Sequence, residues 1–417
     1  MLRLLALTAL ALLTLPARGQ TDASGDVPPP WELSRAQDGD GPLSAYARLL
    51  ETEAAWIESD EWRDAYIQTL AQRDAALGRH QSALVMWDRS MGRRRDSVAV
   101  LDAGVRAVDA AAYIAKSAEA ERVVMVNEAH HDAATRLLTL RLLPLLYERG
   151  YRYLAAETFA PEIDSSVAAR GYPAAGDGYY SDEPVFGEMI REAVRLGYTL
   201  IPYDDAKPEI ENDTLDYQKR RDLTEAEHLR DRIFARDPDA KVLVHAGFGH
   251  IEEEVGPRFY PMAVYFRELT GIDPLTVDQV TMAAASEPAF DTPLRRGADE
   301  AGLLGDVPAL LLGASGEPLA PVRYSVDLQS FAPRVERPVL ALPGRHLATV
   351  TAPEACARVL CLVEVRLASE GPDAVPLDRL VVDAPGPVTV SARGQSLVQI
   401  LDGETGVVLL EHALSDD

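Results

Sequence analysis

The chain has 417 residues, which at roughly 150 per domain predicts two or three folding units. Its 47% hydrophobic and 26% charged content is ordinary for globular proteins and excludes a wholly disordered or fibrous chain. With 66 Asp and Glu against 41 Lys and Arg the formal charge is -25, a surface that repels nucleic-acid phosphates and anionic lipid.

Residues 1–19 read as a secretory signal: Arg3 supplies the positive start, 4–15 form a short apolar run, and Ala17-Arg18-Gly19 offers a small-x-small cleavage site. The expectation is an exported protein, periplasmic or secreted, of bacterial type. No cysteine stands near the cut, so a lipid anchor is not supported. No later apolar run reaches the length of about 18 residues that a membrane span needs. Export exposes the two cysteines, Cys356 and Cys361, to oxidation. A disulfide between them requires the chain to bend, which sequence leaves open.

In chain order, 20–41 is a polar, Pro- and Gly-rich flexible leader. Residues 42–118 carry apolar positions at helical spacing, as in Trp56, Trp62, Tyr66 and Leu70. Residues 75–84 resemble one tetratricopeptide-type hairpin, and without a second copy they predict a packing helical pair. From 119 to 296 short apolar runs alternate with amphipathic helices. Strands are predicted at 123–126, 151–156, 199–203, 242–245 and 275–280, with helices at 135–149, 184–196, 215–235, whose apolar face carries Leu223, Ala226, Leu229 and Ile233, and 261–269. Such alternation predicts parallel strands joined by right-handed crossovers. Residues 297–417 hold short β-like runs at 339–342, 359–367, 380–382, 388–391, 396–400 and 407–410, a β-rich domain of sandwich type. The predicted fold class is α/β: a parallel-sheet core with an N-terminal helical segment and a C-terminal β-rich domain.

Ligands of an open parallel sheet bind beyond the carboxyl ends of its strands. The first strand ends in Asn127-Glu128-Ala129-His130-His131, the second in Glu157, the third in Tyr203-Asp204-Asp205, and the fourth in His245-Ala246-Gly247-Phe248-Gly249-His250. Glu157 closes an apolar run, where a carboxylate is costly unless paired. His130 and His250 end tight turns, whereas His131, Asp204 and Asp205 serve equally well as caps. Imidazole with carboxylate suits zinc, manganese or iron, which would activate water. The same groups can also act as a metal-free base and its orienter. No H-E-x-x-H helix, nucleophile elbow, Walker loop or dinucleotide fingerprint is present.

The turns 127–130 and 247–250, with Glu157 between them, resemble the erythromycin esterase/ChaN-like/Tiki superfamily, which is marked by two G-x-x-H turns and an intervening glutamate. The match covers residues 121–280. The superfamily includes esterases that open macrolide rings, haem-binding lipoproteins and metal-dependent peptidases. The resemblance implies Glu128 and His130 in the first turn, Glu157 as the central acid and His250 in the second turn. Arg136 resembles the arginine that follows the first motif, and His245 is similar to an upstream histidine of the esterase branch. Asn127 departs from the pattern by standing where glycine is usual; asparagine tolerates the left-handed angles a turn would need.

The expected function is an exported, metal-assisted hydrolase acting on an ester or amide bond of a small-molecule or peptide substrate. His130, Glu157 and His250 would hold the ion, with His131 a further candidate ligand. Glu128 would hold water, and Arg136 would bind a substrate carboxylate or oxyanion. Segment 158–183 is read as a substrate lid or a surface loop, with Tyr179, Tyr180, Tyr203 and Asp204 as substrate-facing residues. The alternatives are a haem- or metal-binding protein without turnover, and a non-catalytic interaction scaffold.

Overall fold

The computed structural model describes residues 29–35, 37, 39–59, 62–90, 92–204, 214–256, 259–322 and 325–415. The signal expected at 1–19, much of the leader and Asp205 lie outside them. Part of the leader is ordered: α1 (Pro30–Leu33) starts on a helix-compatible proline and buries Trp31 and Leu33. It is followed by α2 (Ser44–Glu51), α3 (Glu53–Ile57), α4 (Arg63–Ala76) and α5 (His80–Ser90). Helices α4 and α5 are the packing pair that residues 75–84 predict. Helix does not continue to 118 as expected. Residues 92–100 have no regular structure, and they lead to β1 (Arg106–Asp109) and α6 (Ala110–Ser117).

The core then runs β2 (Val123–Glu128), α7 (Arg136–Tyr147), β3 (Tyr153–Ala156), α8 (Ile163–Arg170), α9 (Pro184–Leu196), β4 (Thr199–Pro202), α10 (Thr214–Leu229), β5 (Val242–Gly247), α11 (Met262–Thr270) and β6 (Leu275–Asp278). After it come α12 (Pro293–Glu300), β7 (Ala309–Leu312) and β8 (Leu328–Phe331). All eight strands so far form one sheet in the order β1-β7-β8-β6-β2-β5-β3-β4. Strands β8, β6, β2, β5, β3 and β4 run parallel, and β7 is antiparallel to both its neighbours. The fold is therefore mixed α/β with a largely parallel sheet. The sheet extends past the expected 119–296 segment on both sides, because β1, β7 and β8 come from outside it.

Strand alternation sends successive side chains to opposite faces. Val124, Val126, Leu154, Leu200 and Leu243 join the cluster built with α6, α7 and α9. Val123, Met125, Ala155, Val242 and Val244 join the one built with α10 and α11. Both faces are thus covered, as a parallel sheet requires.

The C-terminal part is β9 (His346–Ala352), β10 (Cys361–Leu367), β11 (Asp378–Val382), β12 (Gly386–Ala392), β13 (Ser396–Asp402) and β14 (Val408–Leu414). A four-stranded antiparallel sheet, β11-β10-β13-β14, faces the β12-β9 pair across a shared apolar core. The run at 339–342 is not a strand; Pro338 opens a 3-10 turn there, since proline cannot donate to a ladder. Cys356 and Cys361 form a disulfide, the chain bending through a 3-10 turn between them. The N-terminal helices pack on this domain, for Leu43, Leu49, Tyr66 and Leu70 share a cluster with Leu362 of β10.

Candidate active site

Adjacent strands β2, β5 and β3 bring the expected residues to one edge. Glu128 is the last residue of β2 and lies in register with Gly247, while His245 lies in register with Val126 and Ala156. Beyond β5 the backbone turns sharply, and Phe248 takes φ 40, an uncommon angle for a bulky residue. That turn is braced from β2. The Asn127 amide donates to Phe248 O at 2.7 Å and to Asp278 Oδ1 at 2.8 Å, and its oxygen accepts from Gln279 N at 2.8 Å. Asn127 thus stays in the strand and adopts no left-handed angle, contrary to the expectation for this position.

Gly247 shows why no side chain fits where the strands converge. A Cβ there would lie 2.5 Å from His130 Cε1, 2.6 Å from His130 Nε2 and 2.7 Å from Glu157 Oε2. His130 and Glu157 therefore press on the same point of β5. Glu157 Oε2 also accepts from Gly247 N at 2.6 Å.

One charged network centres on Glu128, which is fully buried. Its oxygens accept from His130 Nδ1 at 2.7 Å, His245 Nε2 at 2.9 Å and Arg136 Nε at 2.7 Å. Burial opposes the charge of Glu128, but the Arg136 guanidinium and the two imidazole hydrogen bonds hold its carboxyl well below the ordinary range. Arg136 donates further to Glu183 Oε2 at 2.8 Å and to His130 O at 3.1 Å. Its donors are committed, so it positions Glu128 and His130 and does not bind substrate as expected. His245 donates no free ring nitrogen either, since its Nδ1 meets Thr139 Oγ1 at 2.9 Å.

A second network joins β3 and β5 to helix α10. Arg221 is ion-paired with Glu157, with Asp204 at 2.7 Å and with Glu225 at 3.2 Å. His250 Nδ1 lies 2.7 Å from Asp222 Oδ1, and its Nε2 lies 3.8 Å from Glu157 Oε1. Arg221, Asp222 and Glu225 escape the sequence reading, which places Leu223 with Ala226 and Leu229 on the buried face. Leu223 is only half-buried, whereas Gln218, Asp222, Glu225, Ala226 and Leu229 are buried. Stepping back by three and four residues from Leu229 and Ala226 would have exposed the charged stripe.

Burial opposes the charge of Glu157, but Arg221, then His250 and His130, pull its carboxyl down to about 2. Burial pushes Glu225 up to about 8, only partly relieved by His250 and Arg221. Burial also opposes a charge on His250, yet Glu225, Asp222 and Glu157 raise it well above the usual imidazole range. Arg221 Nη1, 3.3 Å from Nε2, works against a proton there. The carboxylates prevail, because that guanidinium is already neutralised by Glu157 and Asp204.

The donor atoms of Glu157, Glu225 and His250 come within 4.8 Å of one another, so this buried cluster could hold a metal ion. The set differs from the expected one by a residue, Glu225 standing in place of His130. As it stands, the Arg221 guanidinium occupies the same cluster, and a cation would have to displace it. His131 joins neither network. It stacks on Trp87 of α5 at 3.9 Å, and burial, then His130, pushes its imidazole down to about 3.

Within segment 158–183 the ring centroid of Tyr180 lies 4.3 Å from that of His130. Tyr179 and Tyr180 line a cavity of about 20 Å³ together with His130, Arg136 and Thr69 and Arg73 of α4. That is room for a water molecule. Tyr203 is buried and donates to His245 O at 3.1 Å, so it supports the edge from below. Asp204 is spent on Arg221.

No family model matches the chain, and no curated protein matches it. Among solved structures it is similar to the type III effector HopBA1, with 13% identity over 44% of this chain and 87% of that one and a TM-score of 0.31. A chain described as bacterial protein toxins is 14% identical, with 56% and 54% of the two chains covered and a TM-score of 0.30. RRSP, a MARTX toxin effector domain from Vibrio vulnificus, is 12% identical, with 54% and 51% covered and a TM-score of 0.25. Likenesses this distant carry no argument about activity.

Proposed function

We propose that the protein is a hydrolase of an ester or amide bond in which His130 is the general base and His250 the general acid. The observation that carries this reading is the pair of buried histidines, each with Nδ1 held at 2.7 Å by a buried carboxylate, both bordering Glu157. A carboxylate on Nδ1 fixes the tautomer and leaves Nε2 for proton transfer. His130 Nε2 takes a proton from water as its oxygen attacks the carbonyl carbon. His250 in its protonated form gives its proton to the departing oxygen or nitrogen as the scissile bond breaks. Solvent then restores both imidazoles, so the net reaction consumes only water. The superfamily resemblance of the two turns and the export signal at 1–19, which would make this a periplasmic or secreted enzyme, belong to the same proposal.

A second reading assigns a zinc, manganese or iron ion to Glu157, Glu225 and His250. It is favoured by Glu225, whose two buried oxygens make no hydrogen bond of good geometry among the described residues, lying instead in ion pairs at 3.2 Å with Arg221 and with His250. Such an ion would supply an activated water.

The test is hydrolysis of 4-nitrophenyl esters by the wild type and by His130→Asn and His250→Asn. Each change should lower kcat/KM by about 100-fold or more, and the double variant should lose little beyond that. Full activity in both single variants would refute the mechanism. Activity abolished by a chelator and restored by one equivalent of metal would select the second reading, and absence of turnover on any substrate would leave the scaffold alternative.

A further inference from the structure

Helix α4 forms one wall of the cavity at His130 through Thr69, Gln72, Arg73 and Ala76. Thr69 with Arg73 and Gln72 with Ala76 stand four residues apart, and Thr69 with Gln72 and Arg73 with Ala76 three apart, so they make a single stripe facing the catalytic edge. Two of them are chemically unspent. Thr69 is 2% exposed, and its hydroxyl has no hydrogen-bond partner among the described residues. A buried hydroxyl left unpaired is costly, which points to a group from outside the chain. The side chain of Arg73, one turn further on, donates no hydrogen bond to a described residue. Its nearest carboxylate is Asp182 at 3.9 Å, and its side chain is 31% exposed. Asp182 has a second cation in Arg379 at 3.7 Å, so it does not depend on Arg73. The other cation lining the cavity, Arg136, is saturated by Glu128 and Glu183.

We propose that Arg73 and Thr69 form a specificity subsite that binds a carboxylate group of the substrate, an inference that rests on the hydrolase reading of the adjoining edge. A guanidinium fork matches the planar carboxylate, and the threonine hydroxyl supplies a further donor from the same helix face. The narrow cavity and the neighbouring Asp182 and Glu183 favour a small monoanion over a phosphate dianion.

The test uses the full chain, with monomethyl glutarate and inorganic phosphate as probes in calorimetric titration, and circular dichroism to confirm that each variant is folded. Monomethyl glutarate should bind the wild type. Arg73→Gln should weaken binding about tenfold or more, Thr69→Val less, and Arg73→Lys should recover only part of the affinity. Absence of binding to the wild type, equal binding to folded Arg73→Gln, or tighter binding of phosphate than of the carboxylate would overturn the subsite. If carboxylate binding depends on Arg73 while no ester is hydrolysed, the hydrolase reading fails and the subsite stands.

Discussion

At Gly247 the missing side chain does as much as the charged ones present. A methyl group there would meet His130 and Glu157 at 2.5 to 2.7 Å, closer than real Cβ contacts come. Gly247→Ala should therefore push both groups out of place and lower kcat/KM by about 100-fold, with a small change in melting temperature. Unaltered kinetics would show that His130 and Glu157 do not act where they stand. Glu225 offers a test by pH. Its pKa is raised from 4.5 to about 8 in the folded protein, so the folded state holds a proton that the unfolded state releases. The stability linked to this proton is present below about pH 4.5 and is lost as pH rises through 8. Glu225→Gln should consequently gain stability relative to the wild type between pH 5 and pH 8 in thermal melts. A constant difference across that interval would place an ordinary carboxylate at this position. Glu128, His130, Glu157 and His250 were legible in the sequence because residues that close apolar strands have few places to go but the ligand edge. The role of Arg136 was not, since only the packed structure shows two carboxylates claiming its donors.

At the scale of elements, strand–helix alternation was readable wherever an apolar run carried a period, and it placed α9 from Pro184 to Leu196 as observed. Helix α10 was placed with Ala226, Leu229 and Ile233 buried as read, but the face also holds charge and Leu223 is only half-buried. Its buried stripe is polar at Gln218, Asp222 and Glu225, and a hydrophobic-face reading selects Leu223 instead. A helix that buries charge beside a sheet edge breaks local patterning in favour of a site, which is where such failures are expected. The short loop between Cys356 and Cys361 was the reverse case, where patterning was silent and the folded backbone decided the pairing. By the chain-entropy argument the bridge should contribute about 2 kcal/mol. Replacing both cysteines by alanine should lower the denaturation free energy by about that amount without altering kcat. A loss near zero in denaturant titration would mean that the 3-10 turn holds the loop without help.

At the scale of the whole molecule, the three segments predicted from composition are not three independent bodies. The central sheet takes β1 from one side and β7 and β8 from the other, and the N-terminal helices share a core with the C-terminal sandwich. Edge strands such as β1 are short and only half-buried, and so carry little pattern to read. The sandwich acquires a role through Arg379 of β11. Its Nη1 donates to Ala76 O at the end of α4 and to Asp182 O beside the lid, each at 3.1 Å, while its Nε is held by Glu364 at 2.8 Å. One buried guanidinium thereby fixes both walls of the cavity in front of His130. Arg379→Met should release them. Removing one partner of a buried pair costs about 3 kcal/mol or more, and Glu364 keeps Arg366, so the loss should fall at the lower end of that scale. Measured well below the melting transition, the folded variant should show a raised KM with a smaller change in kcat, because His130 and His250 follow β2 and β5 and keep their carboxylates. Unchanged KM in a folded Arg379→Met protein would show that the C-terminal domain does not position the cleft. A fall in kcat alone would place its influence on the two histidines.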